Sequence, residues 1–262
     1  MYNISTRMDG KTILFFIFIL LLIYIVISYA IRETSKLTDV QSADTMVRID
    51  AGSLEKNDVS NRSNFTYSIW FYINDWNYRY GEPKVIFGRM GKASGDGKGA
   101  VEGVNGLEPC PSVVLGPVEN NILVSLACYP GTSETSENNS TSTSIVHTCS
   151  VANVPLQKWV NLLLSVYNRT MDIYIDGKLV NTCLLPGVAY VNQNAPIYVT
   201  PKGGFSGWTA KLQYWAKSTD PQEAWNIYVK GYGPSWLSNI FGQYKVQVTL
   251  LKNGTETSTV EI

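Results

Sequence analysis

Two aspartates four residues apart, Asp172 and Asp176, are the closest this 262-residue chain comes to an acid–base pair. Glycoside hydrolysis needs one carboxyl group to protonate the leaving oxygen and a second to serve as base or nucleophile across the bond. Asp176 is followed by Gly177, however, and an Asp-Gly pair suits a type I′ hairpin turn because both central residues need positive φ. Asp172 falls on the outward side of a short strand, so both carboxylates are expected to be structural. The single histidine, His147, stands in a polar stretch beside Cys149 and is expected in solvent. One imidazole in that setting supports neither a His-based triad nor a multi-histidine metal site. In residues 91–99, GKASGDGKG, Lys98 is followed by Gly99 instead of Ser or Thr and no glycine stands five residues before Gly97, so the phosphate-loop pattern fails. No catalytic residue is assigned, and a non-enzymatic chain is the expectation.

Residues suited to binding are better represented. Asn74-Asp75-Trp76-Asn77-Tyr78-Arg79-Tyr80-Gly81-Glu82 follows a core strand and places three aromatic rings among amides and acids. Rings of this kind stack on sugars, amides hydrogen-bond their hydroxyls, and loops on rigid scaffolds commonly carry recognition. Asp75, Trp76, Tyr78 and Tyr80 are therefore the candidate glycan-binding residues. The competing expectation is that Trp76 and its neighbours cap the open end of the fold by packing.

Charge excludes one class of partner. Lys and Arg number 21 against 21 Asp and Glu and are scattered singly, so no basic stripe exists for nucleic acid. Four cysteines, Cys110, Cys128, Cys149 and Cys183, contain no Cys-x-x-Cys zinc pair and permit two disulfides. A hairpin symmetric about Glu119 would set Cys110 opposite Cys128, which favours Cys110 with Cys128 and Cys149 with Cys183, since bridged Cα atoms lie within about 7 Å. Pairing Cys128 with Cys149 is the alternative, stapling the polar loop 131–144. Sequons stand at Asn61, Asn64, Asn138, Asn139, Asn168 and Asn253. Cysteines and sequons together favour an oxidising, exoplasmic domain.

The elements that would position these residues read as β-structure. Phe65, Tyr67, Ile69, Phe71 and Ile73 alternate on one face of a core strand. Lys84 to Met90 is a second strand, Val113 to Leu115 and Ile122 to Cys128 a hairpin, and the glycine-rich stretch 91–106 a long loop. Trp159 to Tyr167, Met171 to Ile175 and Lys178 to Leu184 form an antiparallel meander. Strands follow near Pro196 to Thr200 and Ala210 to Trp215. One helix then has Asp220 as N-cap, Pro221 at N1, Glu223 closing a capping box and Gly231 as its stop, with Trp225, Tyr228 and Val229 on one face. Tyr244 to Leu251 and Thr255 to Ile262 flank Asn253-Gly254 as a last hairpin.

Residues 12–31, TILFFIFILLLIYIVISYAI, carry no charge, and twenty residues at about 1.5 Å rise match a hydrocarbon core of roughly 30 Å. The run is longer than the about 7 to 15 residues of a signal-peptide h-region, which favours an uncleaved anchor over a leader cleaved after Ala30. Arg7 and Lys11 on one side balance Arg32 and Lys36 on the other, so flanking charge does not set orientation. The chain thus divides into a flank (1–11), a transmembrane helix (12–31), a linker (32–44), a β-sandwich (45–232) and a C-terminal hairpin packed on the sandwich (233–262).

Three stretches, FTYSIWFYI at 65–73, WVNLLLSVYNRTMDIYIDGKLV at 159–180 and GFSGWTAKLQYW at 204–215, resemble laminin-G-like domains of the concanavalin A-like lectin/glucanase superfamily. The resemblance covers about residues 46–231. It implies an all-β jelly-roll sandwich of two antiparallel sheets with one short helix in its C-terminal half, here preceded by the transmembrane helix. The glucanase branch carries Glu-x-Asp-x-x-Glu or Glu-x-Asp-x-Glu, and neither pattern occurs here. Such domains often hold calcium at the rim, for which Asp75, Asp96 and Glu102 are weak candidates, and no other cofactor is implied. The anchor together with the tail GYGPSWLSNIFGQYKVQVTLLKNGTETS is similar to single-pass members from large DNA viruses of algae and protists. That likeness implies a minor virion component between internal membrane and capsid, with membrane lipid, capsid or other surface proteins and glycans as partners. A cell-surface or endomembrane receptor of lectin type is the alternative, and a glycoside hydrolase the remotest one.

Overall fold

The computed structural model describes residues 15–24, 35–56, 63–92, 107–129, 144–233, 247–252 and 255–261. The chain separates into two compact units, Met1–Thr34 and Ser35–Ile262. In the first, residues 15–24 form helix α1. Phe15, Phe16, Ile17, Phe18, Leu20, Leu21, Leu22, Ile23 and Tyr24 are all exposed, so α1 is apolar around its whole circumference. Among the described residues no helix is long and apolar enough to cross a membrane. The remainder of the 12–31 span lies outside them.

The second unit is built from two six-stranded antiparallel sheets. Strands β1 (Gln41–Ser42), β3 (Phe65–Asp75), β8 (Trp159–Tyr167), β9 (Thr170–Ile175), β10 (Lys178–Leu184) and β12 (Ser206–Trp215) make sheet A in the order β1-β12-β3-β8-β9-β10. Strands β2 (Val47–Ile49), β4 (Lys84–Lys92), β5 (Leu107–Leu115), β6 (Asn121–Cys128), β7 (Ile145–Ala152) and β11 (Ile197–Val199) make sheet B in the order β2-β11-β4-β5-β6-β7. This is the sandwich that the resemblance implies. The alternation in β3 sends Phe65, Tyr67, Ile69, Phe71 and Ile73 into one core, where Val160, Leu162 and Leu164 of β8 meet Phe87, Val113, Leu115, Ile122 and Val124 of sheet B. Among the described residues, strands β13 (Gln247–Lys252) and β14 (Thr255–Glu261) pair with each other alone, as a two-stranded sheet.

The opposite face of β3 is largely buried too, because helix α2 (Pro221–Val229) lies over sheet A. Asp220 caps α2 by accepting from the Glu223 amide at 2.7 Å, and Pro221 occupies the first turn, as its sequence requires. The packing face is Ala224 and Ile227 on Leu163 and Tyr174, with Trp215 alongside. Trp225 and Val229, expected to share the apolar face with Tyr228, stand out in solvent instead. The polar residues trapped beneath the approach to α2 satisfy one another: Thr219 Oγ1 meets Thr66 Oγ1 at 2.8 Å, and Ser165 Oγ both donates to the Thr219 carbonyl and accepts from its amide, at 2.9 and 2.8 Å. At the β9–β10 turn, Asp176 and Gly177 have φ of 50° and 72°. Gly177 is doubly required, since a Cβ there would lie 3.0 Å from both the Trp225 ring and Tyr228 Cβ.

Half of the expected cysteine pairing is present. Cys149 and Cys183 form a disulfide between the edge strands of the two sheets, β7 and β10. Cys110 and Cys128 are free, which corrects the second expected pair. The β5–β6 ladder matches Ser112 with Ser125, Val113 with Val124 and Leu115 with Ile122. The ladder ends at that Ser112–Ser125 pair, and beyond it the end of β6 is met by residues 188–190 instead, with Cys128 bridging Ala189 and the Ala127 carbonyl accepting from the Tyr190 amide at 2.8 Å, so Cys110 does not come opposite Cys128. His147 is also not where the sequence puts it: it belongs to β7, an edge strand that the polar run before it conceals, and is half-buried.

Candidate functional site

The loop after β3 joins sheet A to sheet B and is locked on both sides. Asp75 Oδ1 accepts from the Asn77 amide at 2.9 Å, closing an Asx turn. Trp76 Nε1 donates to the Val118 carbonyl at 3.4 Å, and its ring, packed against the core, lies 4.5 Å beneath the Lys84 ammonium. Tyr78 donates to the Gly203 carbonyl at 3.2 Å. Arg79 pairs with Glu82 at 2.6 Å and donates through Nη1 to the Lys202 carbonyl. Of the three loop aromatics, Tyr80 alone is exposed. The rim thus brings Asp75, Trp76, Tyr78 and Tyr80 into one loop but leaves a single ring free for stacking. Lys84 is 1% exposed and its Nζ has no hydrogen-bond partner. Burial, helped by nearby Arg79, pulls its pKa below the usual lysine value, against the opposing pull of Asp75 and Glu82.

The acid–base candidates are structural in this geometry. Asp172 Oδ1 accepts from Thr182 Oγ1 at 2.7 Å across β9 and β10. Asp176 accepts from the Asn161 amide at 2.9 Å and from Lys158 Nζ at 3.0 Å. Among the described residues no three His, Cys, Asp or Glu side chains gather as a metal site. Asp96 and Glu102 lie outside the described residues, as do Asn61, Asn138, Asn139 and Asn253. Asn64 and Asn168 meet at one end of β3 and β8, where Asn64 Oδ1 accepts from the Asn168 amide at 2.9 Å and Asn168 is exposed.

A buried cation bridges the two sheets. Arg89 of β4 donates from Nε to the Ala195 carbonyl at 3.0 Å and from Nη1 to Tyr67 Oη of β3 at 3.1 Å, with its guanidinium 5.7 Å from the Tyr214 ring. Burial raises the Tyr67 phenol and the Cys110 thiol, opposed in each case by Arg89, so both stay protonated at neutral pH. This cluster ties the sheets together.

The surface that sequence reasoning missed lies on the outer face of sheet A, beyond α2. Trp225 contacts Tyr228 at 5.4 Å, Tyr228 stacks on Trp70 at 5.6 Å and 18°, and Trp70 meets Tyr232 at 5.6 Å. Tyr232 stacks on Trp159 at 4.2 Å and 19°, Trp159 meets Tyr72 at 5.9 Å, and Tyr72 meets Trp208 at 5.5 Å. The pairing of Tyr72 with both Trp159 and Trp208 places the last rings side by side on three neighbouring strands. Trp208 and Trp225, the ends of this continuous aromatic band, are 44% and 42% exposed. The available signal was one of parity: Trp70 and Tyr72 occupy positions of β3 where a solvent-facing strand would carry polar residues.

No protein-family model matches the chain and no curated protein sequence matches it. Solved structures similar to it include the receptor binding domain of botulinum neurotoxin D, at 12% identity and a TM-score of 0.49 over 74% of this chain and 44% of that one. The binding domain of botulinum neurotoxin DC in complex with rat synaptotagmin II is similar at 17% identity and a TM-score of 0.46, over 71% of this chain and 40% of that one. The chain thus spans less than half the length of these two structures.

Proposed function

We propose that this protein is a membrane-tethered, non-enzymatic recognition module whose contact surface is the outer face of sheet A. The observation that carries this reading is the aromatic band from Trp225 to Trp208 with both ends open to solvent. Large aromatic side chains left open to solvent along one packed band, Trp208, Trp225 and Tyr232, support a place of contact with another molecule there. The tether is supported by the uncharged span 12–31 and by α1, which exposes apolar side chains on every side. Engagement of Asp172 and Asp176 in turn and cross-strand hydrogen bonds supports a non-enzymatic role. The Cys149–Cys183 disulfide supports a domain that matures on an oxidising, exoplasmic side. On the likeness of its anchor and tail to viral single-pass members, the proposed setting is a virion, between internal membrane and capsid.

Full-length protein reconstituted into liposomes is the test. It is expected to remain with the lipid after alkaline carbonate extraction and to release no reducing ends from soluble β-glucans. Release into the carbonate supernatant, or glucan turnover, would overturn this reading.

A further inference from the structure

The turn between β8 and β9 carries an acceptor sequence for N-linked glycosylation, Asn168-Arg169-Thr170, that the aromatic band does not use. Asn168 and Arg169 form a two-residue turn between the paired Tyr167 and Thr170. Asn168 is exposed with φ of 54°, and its backbone amide donates to Asn64 Oδ1 at 2.9 Å. Its side-chain amide makes no hydrogen bond among the described residues. Arg169 fixes the turn, because its guanidinium donates to the Leu185 and Pro186 carbonyls at 3.3 and 3.1 Å and its carbonyl accepts from the Leu185 amide at 2.8 Å. The Asn168 side chain thus stands open on a rigid support, where a bulky group breaks no contact. The neighbouring sequon, Asn64-Phe65-Thr66, differs: Asn64 is half-buried with Oδ1 committed to the turn, and the fully buried Thr66 donates its hydroxyl to the Lys217 carbonyl at 2.8 Å.

The strand ends around this turn are apolar and open. Register sets Tyr167 of β8 opposite Thr170 of β9, and Thr170 opposite Leu184 of β10. Directly paired residues share a face, and since Val166 and Met171 beside them belong to the core, this row lies on the outer face of sheet A. Tyr167 and Leu184 are 63% and 73% exposed, more than Trp208 and Trp225 at the ends of the aromatic band. The sequon threonine therefore stands between two uncovered apolar side chains. Trp159 and Tyr167 are the two ends of β8, about 26 Å apart along the strand, and α2 packs on Leu163 between them. A group on Asn168 leaves the band open.

We propose that Asn168 is N-glycosylated and that the innermost sugars of its glycan cover Tyr167 and Leu184, at the end of sheet A remote from the aromatic band. The donor is a lipid-linked oligosaccharide. Asn168 Nδ2 bonds to the anomeric carbon of the first sugar as the bond from that carbon to the lipid diphosphate breaks; the diphosphate leaves with the electron pair, and Nδ2 gives up one proton. The C–H face of the first sugar then lies on the Tyr167 ring, which is an apolar body with a polar tip. A hydrated chain at this end keeps it out of contact and leaves the band as the face that meets a partner. The inference rests on the exoplasmic placement in the reading above, because the transfer takes place on that side of the membrane.

The test uses full-length protein made in cultured eukaryotic cells. Peptide mass spectrometry after enzymatic glycan release in heavy-oxygen water reads occupancy at Asn168, and protease protection in sealed microsomes reads the side on which the domain lies. Hydroxyl-radical footprinting before and after native deglycosylation reads the cover. Asn168 is expected to be modified in most molecules, and Tyr167 to oxidise several-fold faster once the glycan is gone, with Tyr80 unchanged. Asn168→Gln should oxidise at Tyr167 as fast as the deglycosylated wild type, which separates this glycan from any on another sequon. An unmodified Asn168 in a domain protected within the microsomes, or equal oxidation of Tyr167 with and without the glycan, would overturn the proposal and leave the recognition reading intact. Digestion of the domain in sealed microsomes would remove the exoplasmic placement, and this inference with it.

Discussion

Lys84 shows how a single residue at the rim is held at a cost. Its ammonium is buried over Trp76 without a hydrogen-bond acceptor, so the ring's π face is the main compensation. Lys84→Met keeps the length of the side chain and removes the desolvated charge, and is expected to stabilise the protein by about 1 kcal/mol near neutral pH, measured by urea unfolding. The pH dependence has a definite sign. A lysine whose folded pKa is lowered binds its proton more weakly folded than unfolded, so its stabilising contribution is complete above the unfolded value and is lost as pH falls through the folded one. The advantage of Lys84→Met over wild type should therefore shrink as pH rises toward the ordinary lysine pKa. An advantage independent of pH would mean that Lys84 is solvated. Trp76 shows why side-chain chemistry alone misjudges a site: its type suits sugar stacking, but its indole donates to Val118 and one face lies under Lys84.

At the level of elements, the β9–β10 turn and α2 specify each other. Asp176-Gly177 makes the turn, and the missing Gly177 side chain makes room for Trp225 and Tyr228 of the helix. Gly177→Ala should cost about 2 kcal/mol through positive φ and this contact together, lowering Tm by about 4 to 8 °C. A loss of only a few tenths of a kcal/mol would show that α2 adjusts freely. Much of this was readable in advance, because period-two alternation in β3, the Asp-Gly turn and the Asp220 cap are local signals that tertiary context reinforced. The aromatic band was not, for it draws Trp70, Tyr72, Trp159, Trp208, Trp225, Tyr228 and Tyr232 from four elements and the segment after α2. Only strand register and helix placement make them neighbours, and no spacing along the chain encodes either. The Cys110–Cys128 expectation failed for a related reason, since the β5–β6 ladder ends at Ser112 and Ser125 and a segment distant in sequence, at Ala189 and Tyr190, takes the place beside Cys128.

For the molecule as a whole, the disulfide ties the two sheets together where each ends in a long edge strand. Cys149 and Cys183 are 34 residues apart, and closing a loop of that size restricts the unfolded chain by about 3 to 4 kcal/mol. Cys149→Ser/Cys183→Ser should lower stability by that amount while leaving Cys110 and Cys128 protected in the core. If the double variant unfolds at the same denaturant concentration as wild type, the staple contributes nothing. Under the proposed function, the sandwich meets its partner through the face that carries open aromatic side chains, the outer side of sheet A.

Hydroxyl-radical footprinting of full-length protein, in its native membranes and after purification into nanodiscs, tests that claim most directly. Trp208 and Trp225 should oxidise several-fold more slowly in the native setting, with Tyr80 at the rim unchanged. Equal oxidation of Trp208 and Trp225 in the two preparations would contradict a recognition role for this face.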